Sequence, residues 1–275
     1  MLEAQWFQGK FICVELDGDL YRIPRCVKDR YQEFQPFFVT NVVEAFNRKI
    51  IQATKDLVCA YKLDVIFYQI WGVQGIEALL QTVRNIHSLA PNVPIILDAR
   101  LNNSPRAVTN FGHYAFDVLG VDAITVNPYL GMKSLNAILE RREKGIMVLC
   151  RTSHSGSDEF QGRALAGGEP LYAYVARQVV EKWNIYGNCS IFVEGGFPEE
   201  VFQLRKIIEE MPMFLSKVTL SRENNPIISA GRDDRGLGIV VTSLEEAPFA
   251  SKCNNFDKIA RYELEKFRTF MESYE

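Results

Sequence analysis

The sequence lacks the features that mark several common classes of protein. Its six cysteines form no CxxC pair and no cluster with histidine, which argues against a disulfide scaffold and against zinc. No apolar run approaches the ~18 residues needed to cross a bilayer, and the start lacks a basic region followed by an apolar stretch. The net charge is −3, the pI is about 5.8, and no basic patch is present. We therefore expect a cytoplasmic protein that binds neither membranes nor nucleic acid.

The cysteines have a simpler interpretation as small buried hydrophobic residues. Four of them lie within the apolar runs FICVEL, LVCAY, MVLCR and NCSIFV. Free cysteine usually behaves in this way in protein cores. We expect burial of all six, which are Cys13, Cys26, Cys59, Cys150, Cys189 and Cys253.

Short apolar runs alternate with longer amphipathic segments along nearly the whole chain. This order is typical of a parallel sheet covered by helices. No GxGxxG motif follows the first run and no linker interrupts the 275 residues, so a single-domain (β/α)8 TIM barrel over residues 1–275 fits better than an open doubly wound sheet. The predicted strands are Phe11–Leu16, Leu57–Tyr61, Val93–Leu97, Ala123–Val126, Ile146–Cys150, Ser190–Val193, Met213–Leu215 and Gly238–Val241.

The segments between these runs carry helical patterns. In Gly75–Ser88, the apolar side chains recur at the spacing of one helix face. Pro198, followed by Glu199 and Glu200, is a favourable helix start because proline tolerates the first turn and acids favour its positive end. The predicted helices include Thr40–Thr54, Gly75–Ser88, Ala107–Leu119, Ser134–Arg142, Tyr172–Trp183 and Pro198–Met211.

Ionisable residues directly follow the first three apolar runs, where a barrel places its active site. They are Asp17, Lys62 and the pair Asp98 and Arg100. Each has an ordinary structural alternative: Asp17 as a helix cap or turn residue, Lys62 as a strand end reaching solvent, and Asp98 with Arg100 as an ion pair within a loop. Their convergence at one end of a barrel favours a functional site, since alternating carboxylates and cations shift proton affinities.

A polar loop, RTSHSGSDEFQ, follows the fifth strand. Its hydroxyl and amide groups are suited to hydrogen bonding with a heterocycle. His154 in this loop suggests a general base, but without an evident acidic partner we interpret it as a polar contact.

Several longer strings resemble orotidine 5′-phosphate decarboxylase of the longer bacterial and protozoal type. The resemblance runs from about Phe11 to Ala250. It implies a (β/α)8 barrel, usually a homodimer, that converts orotidine monophosphate (OMP) to UMP and carbon dioxide without metal or organic cofactor. The strings are LVCAYK, GVQGIEAL, PIILDA, DAITVNPYLG, VLCRTS with DEFQ following, and GGEPLYAYVA.

The resemblance assigns catalytic roles at three strand ends and shows where this chain departs from them. The family's Asp and Lys that contact the ribose match Asp17 and Lys62. The family's third strand carries Asp-x-Lys-x-x-Asp, in which the Lys protonates the C6 carbanion and the last Asp reaches in from the partner subunit. Here Asp98 is kept, but Arg100 and Asn103 stand in place of the Lys and the last Asp. We expect Lys62 and Arg100 to lack part of their counter-charge.

The positions that match the family's phosphate-binding residues depart further from the family pattern. Those that match its pyrimidine-binding residues are better preserved. The family's Gly-rich phosphate loop matches the stretch KVTLSRENN, which has no glycine, and Glu245 matches an Arg. Arg222 or Arg232 would have to supply the positive charge that the family's Arg contributes beside the phosphate. Thr152 and Ser153 match residues that approach the base, and Asn127 in NPYLG matches the fourth strand end, although NPYLG also fits a simple turn.

The expected site therefore has two groups of residues and three possible uses. The chain is a decarboxylase with weak or lost activity, a silent nucleotide-binding or protein-interaction barrel, or a barrel with a changed substrate. The expected catalytic positions are Lys62, Asp98, Arg100 and Asn103, and the expected substrate-binding positions are Asp17, Asn127, Thr152, Ser153 and Arg222.

Overall fold

Eight parallel strands pair in chain order and close into a barrel. This confirms the predicted (β/α)8 fold. The computed structural model describes residues 1–101, 103–195, 197–218, 225–242 and 247–272. The strands are β1 (Ile12–Glu15), β2 (Val58–Asp64), β3 (Ile95–Leu101), β4 (Ala123–Val126), β5 (Gly145–Arg151), β6 (Cys189–Glu194), β7 (Met213–Ser216) and β8 (Ile239–Thr242).

Two strands extend further than their apolar runs predict. β2 continues to Asp64 instead of ending at Tyr61, and β3 continues to Leu101 instead of ending at Leu97. The prediction that the charged residues follow the strands is therefore wrong for Lys62, Asp98 and Arg100, which lie within them. The buried charges of Lys62 and Asp98 are tolerated in a strand because they are paired, and Arg100 is exposed, so the apolar run ends before the strand does.

Helices separate the strands, and two of the predicted helices change character. The predicted Ala107–Leu119 helix is an α-helix followed by a π-helix over His113–Leu119, and the predicted Tyr172–Trp183 helix ends in a π-helix over Val179–Trp183. The predicted start at Pro198 is confirmed. The α-helices are α1 (Leu2–Trp6), α2 (Arg25–Lys28), α3 (Phe38–Thr54), α4 (Val65–Gln69), α5 (Gly72–Leu89), α6 (Pro105–Gly112), α7 (Met132–Leu139), α8 (Leu171–Gln178), α9 (Pro198–Ile208), α10 (Asn225–Gly231) and α11 (Phe256–Glu272).

The described residues form two compact units. The first contains residues 1–99, 119–121 and 247–272, and the second contains the described parts of 100–118 and 122–242. The predicted single domain over residues 1–275 stays a prediction.

The first unit is held together by aromatic packing between its helices. The ring of Phe46 on α3 stacks on Phe256 and Phe249 at centroid distances of 5.1 and 5.2 Å. Asn47, on the same helix, donates to the hydroxyls of Tyr68 and Thr82 at 3.1 and 3.0 Å. These buried contacts fix α3 against α4 and α5.

The second unit contains a buried arginine that joins three backbone segments. Arg205 on α9 donates to the carbonyl oxygens of Gly231, Glu209, Met211 and Gly238 at 2.5 to 2.8 Å. Because burial disfavours its charge, the pKa of Arg205 falls to about 10. The carbonyl oxygens compensate for that burial and tie α9 to the start of β8.

The cysteines depart from the prediction at two positions. Cys13, Cys59, Cys150 and Cys189 are buried, but Cys26 is half-buried and Cys253 is exposed. The four buried cysteines are those within the apolar strand runs.

None of the helices in the described ranges is long and apolar enough to span a membrane.

Candidate functional site

Three carboxylates surround one buried lysine in the first unit. The ammonium Nζ of Lys62 lies 2.9 Å from Asp98 Oδ2 and 3.2 Å from Glu15 Oε1. The side chains of Lys62, Asp98 and Glu15 are each at most 5% exposed. Glu15 is paired in register with Lys62 across β1 and β2, so adjacent parallel strands bring these two charges together. We call Glu15, Asp17, Lys62 and Asp98 the Lys62 cluster.

The Lys62 cluster shifts the pKa of its members because it holds three acids and one base. Burial alone would lower the pKa of Lys62, but Glu15, Asp98 and Asp17 outweigh it and raise that pKa well above its usual value. Burial raises the pKa of Asp17 to about 7, with Glu15 adding to the effect and Lys62 opposing it. Asp17 therefore holds a proton part of the time near neutral pH.

Groups on α4 and at the end of β2 position Asp17 and the residue before it. The hydroxyl of Tyr68 donates to the carbonyl of Leu16, the residue before Asp17. The backbone N–H of Asp64 donates to Asp17 Oδ1 at 3.2 Å, and the Asp64 side chain caps α4 by accepting from Ile66 N at 2.9 Å. Asp17 thus lies just after β1, outside a turn, and its carboxylate accepts from the end of β2.

A second buried carboxylate organises the strand ends of the second unit. The Oε2 atom of Glu194 accepts from Lys217 Nζ at 2.9 Å and from the backbone N–H and hydroxyl of Ser153 at 2.9 and 3.0 Å. Its Oε1 atom lies 3.8 Å from both Arg100 and His154. We call these five residues the Glu194 cluster.

The Glu194 carboxylate stays ionised in this setting. Burial would raise its pKa, but the hydrogen bonds from Ser153 and Lys217 outweigh burial and lower that pKa. His154, interpreted as a polar contact, has an acidic neighbour that the sequence did not reveal, because Glu194 lies on a distant strand. The loop ion pair expected between Asp98 and Arg100 was wrong, since each contacts a different buried charge.

A cavity of about 520 Å³ also lies within the second unit. Asn127 and Gln161 line it together with aromatic side chains that include Tyr172 and Trp183. Gln161 Oε1 accepts from the Thr152 backbone N–H at 2.7 Å, which fixes the start of the polar loop. The size of the cavity and its mixed apolar and polar lining are typical of small-molecule sites.

Asn127 confirms the alternative of a simple turn at NPYLG. Its Oδ1 atom accepts from Tyr129 N at 3.0 Å and caps a 3₁₀ turn over Pro128–Leu130. This local role does not prevent its side chain from lining the cavity.

Among the described residues, three expected positions belong to neither cluster: Asn103, Asn127 and Thr152. Asn103 is exposed in the segment between β3 and α6. Arg222 lies outside the described residues, as does Glu245.

The expectation that Lys62 and Arg100 lack the part of their counter-charge that a partner subunit would give stays a prediction, but this chain supplies counter-charge to both cations. Glu15 supplies it to Lys62, and Glu194 supplies it to Arg100. Glu194 directly follows the apolar run that ends at Val193, whereas Glu15 lies inside the run FICVEL. The pattern that selected Lys62, an ionisable residue directly after an apolar run, was therefore sufficient to find Glu194 but not Glu15.

Comparison with known proteins gives consistent similarities. Residues 39–194 match the family model described as Orotidine 5′-phosphate decarboxylase / HUMPS family. An orotidine 5′-phosphate decarboxylase of Herpetosiphon aurantiacus is 39% identical over 207 residues, covering 75% of this chain and 73% of that protein. Another from Janthinobacterium sp. is 32% identical over 263 residues, covering 94% and 92%. The Leishmania donovani OMP decarboxylase structure has a TM-score of 0.79 at 23% identity, over 98% of this chain and 97% of that one, which supports the fold.

Proposed function

Because the chain belongs to the orotidine 5′-phosphate decarboxylase / HUMPS family, we propose that it binds the pyrimidine nucleotides OMP and UMP and that its decarboxylation of OMP is weak or lost. The observation that carries this proposal is the third strand, where Asp98 is retained but Arg100 stands in place of the family's proton-donating lysine.

The Lys62 cluster supports nucleotide binding. Lys62 and Asp98 form a buried pair at 2.9 Å, and Asp17 is held beside them by the backbone of Asp64. In the family, the matching Asp and Lys contact the ribose. Keeping three carboxylates on one buried lysine costs stability, and such perturbed groups concentrate at functional sites.

Arg100 accounts for the weak or lost decarboxylation. Loss of carbon dioxide leaves an electron pair on a ring carbon, and a neighbouring ammonium both stabilises it and supplies the proton. A guanidinium holds its proton too tightly to act as that acid. Loss of a general acid typically slows a reaction by ~10²–10⁴-fold. Asn103 further removes the carboxylate that a partner subunit would contribute.

The remaining roles follow from the resemblance. We propose that Thr152 and Ser153 contact the base, that Asn127 lies beside it, and that Arg222 contacts the phosphate. We also propose that the protein is a homodimer, which light scattering would test: a monomer at micromolar concentration contradicts it.

Decarboxylation of OMP, followed by ultraviolet absorbance, tests the activity. We expect little or no turnover by the parent and a gain in the double variant Arg100→Lys/Asn103→Asp. Turnover by the parent at the family's normal level would refute the role given to Arg100. A double variant no faster than the parent would place the defect elsewhere, in the phosphate loop.

A binding measurement separates a disabled decarboxylase from a protein with another ligand. UMP at millimolar concentration should raise the thermal unfolding midpoint of the parent, because a ligand that binds only the folded state stabilises it. Uridine, which lacks the phosphate, is the control. No shift with UMP would contradict nucleotide binding and favour a changed ligand or a protein-interaction role.

A further inference from the structure

The cavity in the second unit is separate from both charged clusters. Its volume of about 520 Å³ lies within the range of about 300–1,000 Å³ that is usual for small-molecule sites. Among the described residues that line it, none belongs to the Lys62 cluster or to the Glu194 cluster. The largest share of the lining comes from α8 and the π-helix over Val179–Trp183, and β5 contributes Leu149 and Cys150. The cavity therefore lies against the helices that cover the sheet.

One face of α8 and of the π-helix forms a wall of the cavity. Val175, Gln178 and Lys182 line it at spacings of three and four residues, which place side chains on the same helix face. The π-helix contains a hydrogen bond between residues five apart, from the Asn184 N–H to the Val179 carbonyl at 2.9 Å. Such turns are rare and occur frequently at functional sites.

Aromatic rings line the cavity both inside the protein and at its surface. Tyr172 and Trp183 are 5% and 6% exposed, whereas Tyr129 and Tyr174 are 69% and 39% exposed. The cavity thus connects buried rings with solvent, so a solute can reach them. Aromatic side chains stack on planar rings or contact their edges. This lining suits a flat aromatic ligand.

The charge of the lining favours an anion. Lys182 is the one Lys, Arg, Asp or Glu among the described residues that line the cavity. Burial raises the pKa of the Cys150 thiol to about 12, so this thiol adds no negative charge at physiological pH. Gln178 lies four residues before Lys182, so its amide and the ammonium are neighbours on the helix. Together they offer N–H donors to one carboxylate.

We propose that this cavity binds a small planar aromatic carboxylate, with its ring among the aromatic side chains and its carboxylate at Lys182 and Gln178. The ring matches the apolar walls, and the single negative charge complements the single ammonium. The proposal goes beyond the proposed function and does not depend on it, since the ligand need not be a nucleotide.

The test is an NMR titration of the ¹⁵N-labelled protein with sodium 2-naphthoate and, separately, with the neutral 2-naphthamide, at constant pH and ionic strength. The chain has three tryptophans, and the indole signal of Trp183, identified with Trp183→Phe, reports on the cavity. We expect this signal to shift and to saturate with submillimolar naphthoate. The naphthamide should bind at least about threefold more weakly, because it lacks the charge.

Two variants and one control separate charge, shape and general effects. Lys182→Met should weaken naphthoate binding at least about threefold and leave naphthamide binding unchanged. Lys206→Met removes an exposed lysine from α9 in the same unit and should bind naphthoate like the parent. Val175→Phe fills part of the cavity from α8 and should weaken the binding of both probes at least about tenfold. A thermal unfolding midpoint close to that of the parent shows that each variant is folded.

Four results would overturn the proposal. They are the absence of a saturable Trp183 shift with naphthoate, equal affinities of the parent for the two probes, equal losses in Lys182→Met and Lys206→Met, and a folded Val175→Phe that binds both probes like the parent.

Competition with UMP is the final test, because Asn127 lines the cavity and is also proposed to lie beside the base. We expect naphthoate to stay bound when UMP is added. Displacement by UMP would assign the cavity to the nucleotide and overturn the separate site. Failure of UMP to bind would refute the proposed function and leave the result with naphthoate standing.

Discussion

Asp17 offers a direct test of the electrostatics of the Lys62 cluster. Replacing it with Asn keeps the shape of the side chain and keeps an oxygen to accept from the Asp64 backbone N–H. The substitution removes one of three negative charges near Lys62. Because an ionised Asp17 is costly in this buried position, we expect Asp17→Asn to stabilise the folded protein above neutral pH.

The magnitude follows from the shift in pKa. Burial raises the pKa of Asp17 from 3.8 to about 7, so the folded protein binds more protons than the unfolded chain between these values. Stability due to Asp17 is therefore present at low pH and is lost as pH rises through about 7. At 1.36 kcal/mol per pKa unit, the free energy of unfolding of Asp17→Asn should exceed that of the parent by about 4 kcal/mol at pH 8 and by less than about 2 kcal/mol at pH 5.

Urea unfolding of both proteins at the two pH values measures this difference. Asp19→Asn is the matched control, because Asp19 lies two residues further on, is half-buried and accepts from Tyr21 N at 3.0 Å through its side chain. We expect it to change the unfolding free energy by the same small amount at both pH values. An Asp17→Asn protein no more stable than the parent at pH 8, or equally stabilised at pH 5, would refute the reasoning.

Two further predictions concern the packing of the chain. Arg205→Met removes the side-chain donor to four backbone carbonyl oxygens, three of them in buried hydrogen bonds, so urea unfolding should show a loss of about 3 kcal/mol or more. The exposed Arg177→Met should change stability little by comparison, and equal losses in the two variants would contradict the role of Arg205. A thiol reagent should label Cys253 rapidly and the four buried cysteines only after unfolding, because burial raises the pKa of their thiols, to about 12 for Cys150 and Cys189. Mass spectrometry of the labelled peptides identifies the sites, and early modification of Cys150 would count against the described core.

The sequence predicted the barrel from one feature, the alternation of apolar runs with amphipathic segments. All eight predicted strands are present, and β4 has the predicted bounds. The errors lie where charge enters a strand. β2 and β3 continue through Lys62 and Arg100 because the partners of those residues are on other strands. A pattern that counts apolar residues has no means of detecting such partners.

The candidate site shows the same division. Residue types at the ends of apolar runs were enough to select Asp17, Lys62, Asp98 and Arg100. They did not predict which residues these four side chains contact. Lys62 and Asp98 are 36 residues apart in the chain yet form a buried ion pair.

The sequence by itself determined the spacing of apolar residues in each segment, the burial of most strands and the kinds of side chain available. These depend on neighbours along the chain. Only the tertiary structure decided that Glu15 neutralises Lys62 and that Glu194 gathers Arg100, Lys217 and Ser153. Coulomb energies depend on distance through space and on burial, and both are set by the register of strands distant in sequence. The tertiary structure also decided the left-handed backbone of Arg100 and Lys217, since neither residue type favours this conformation locally.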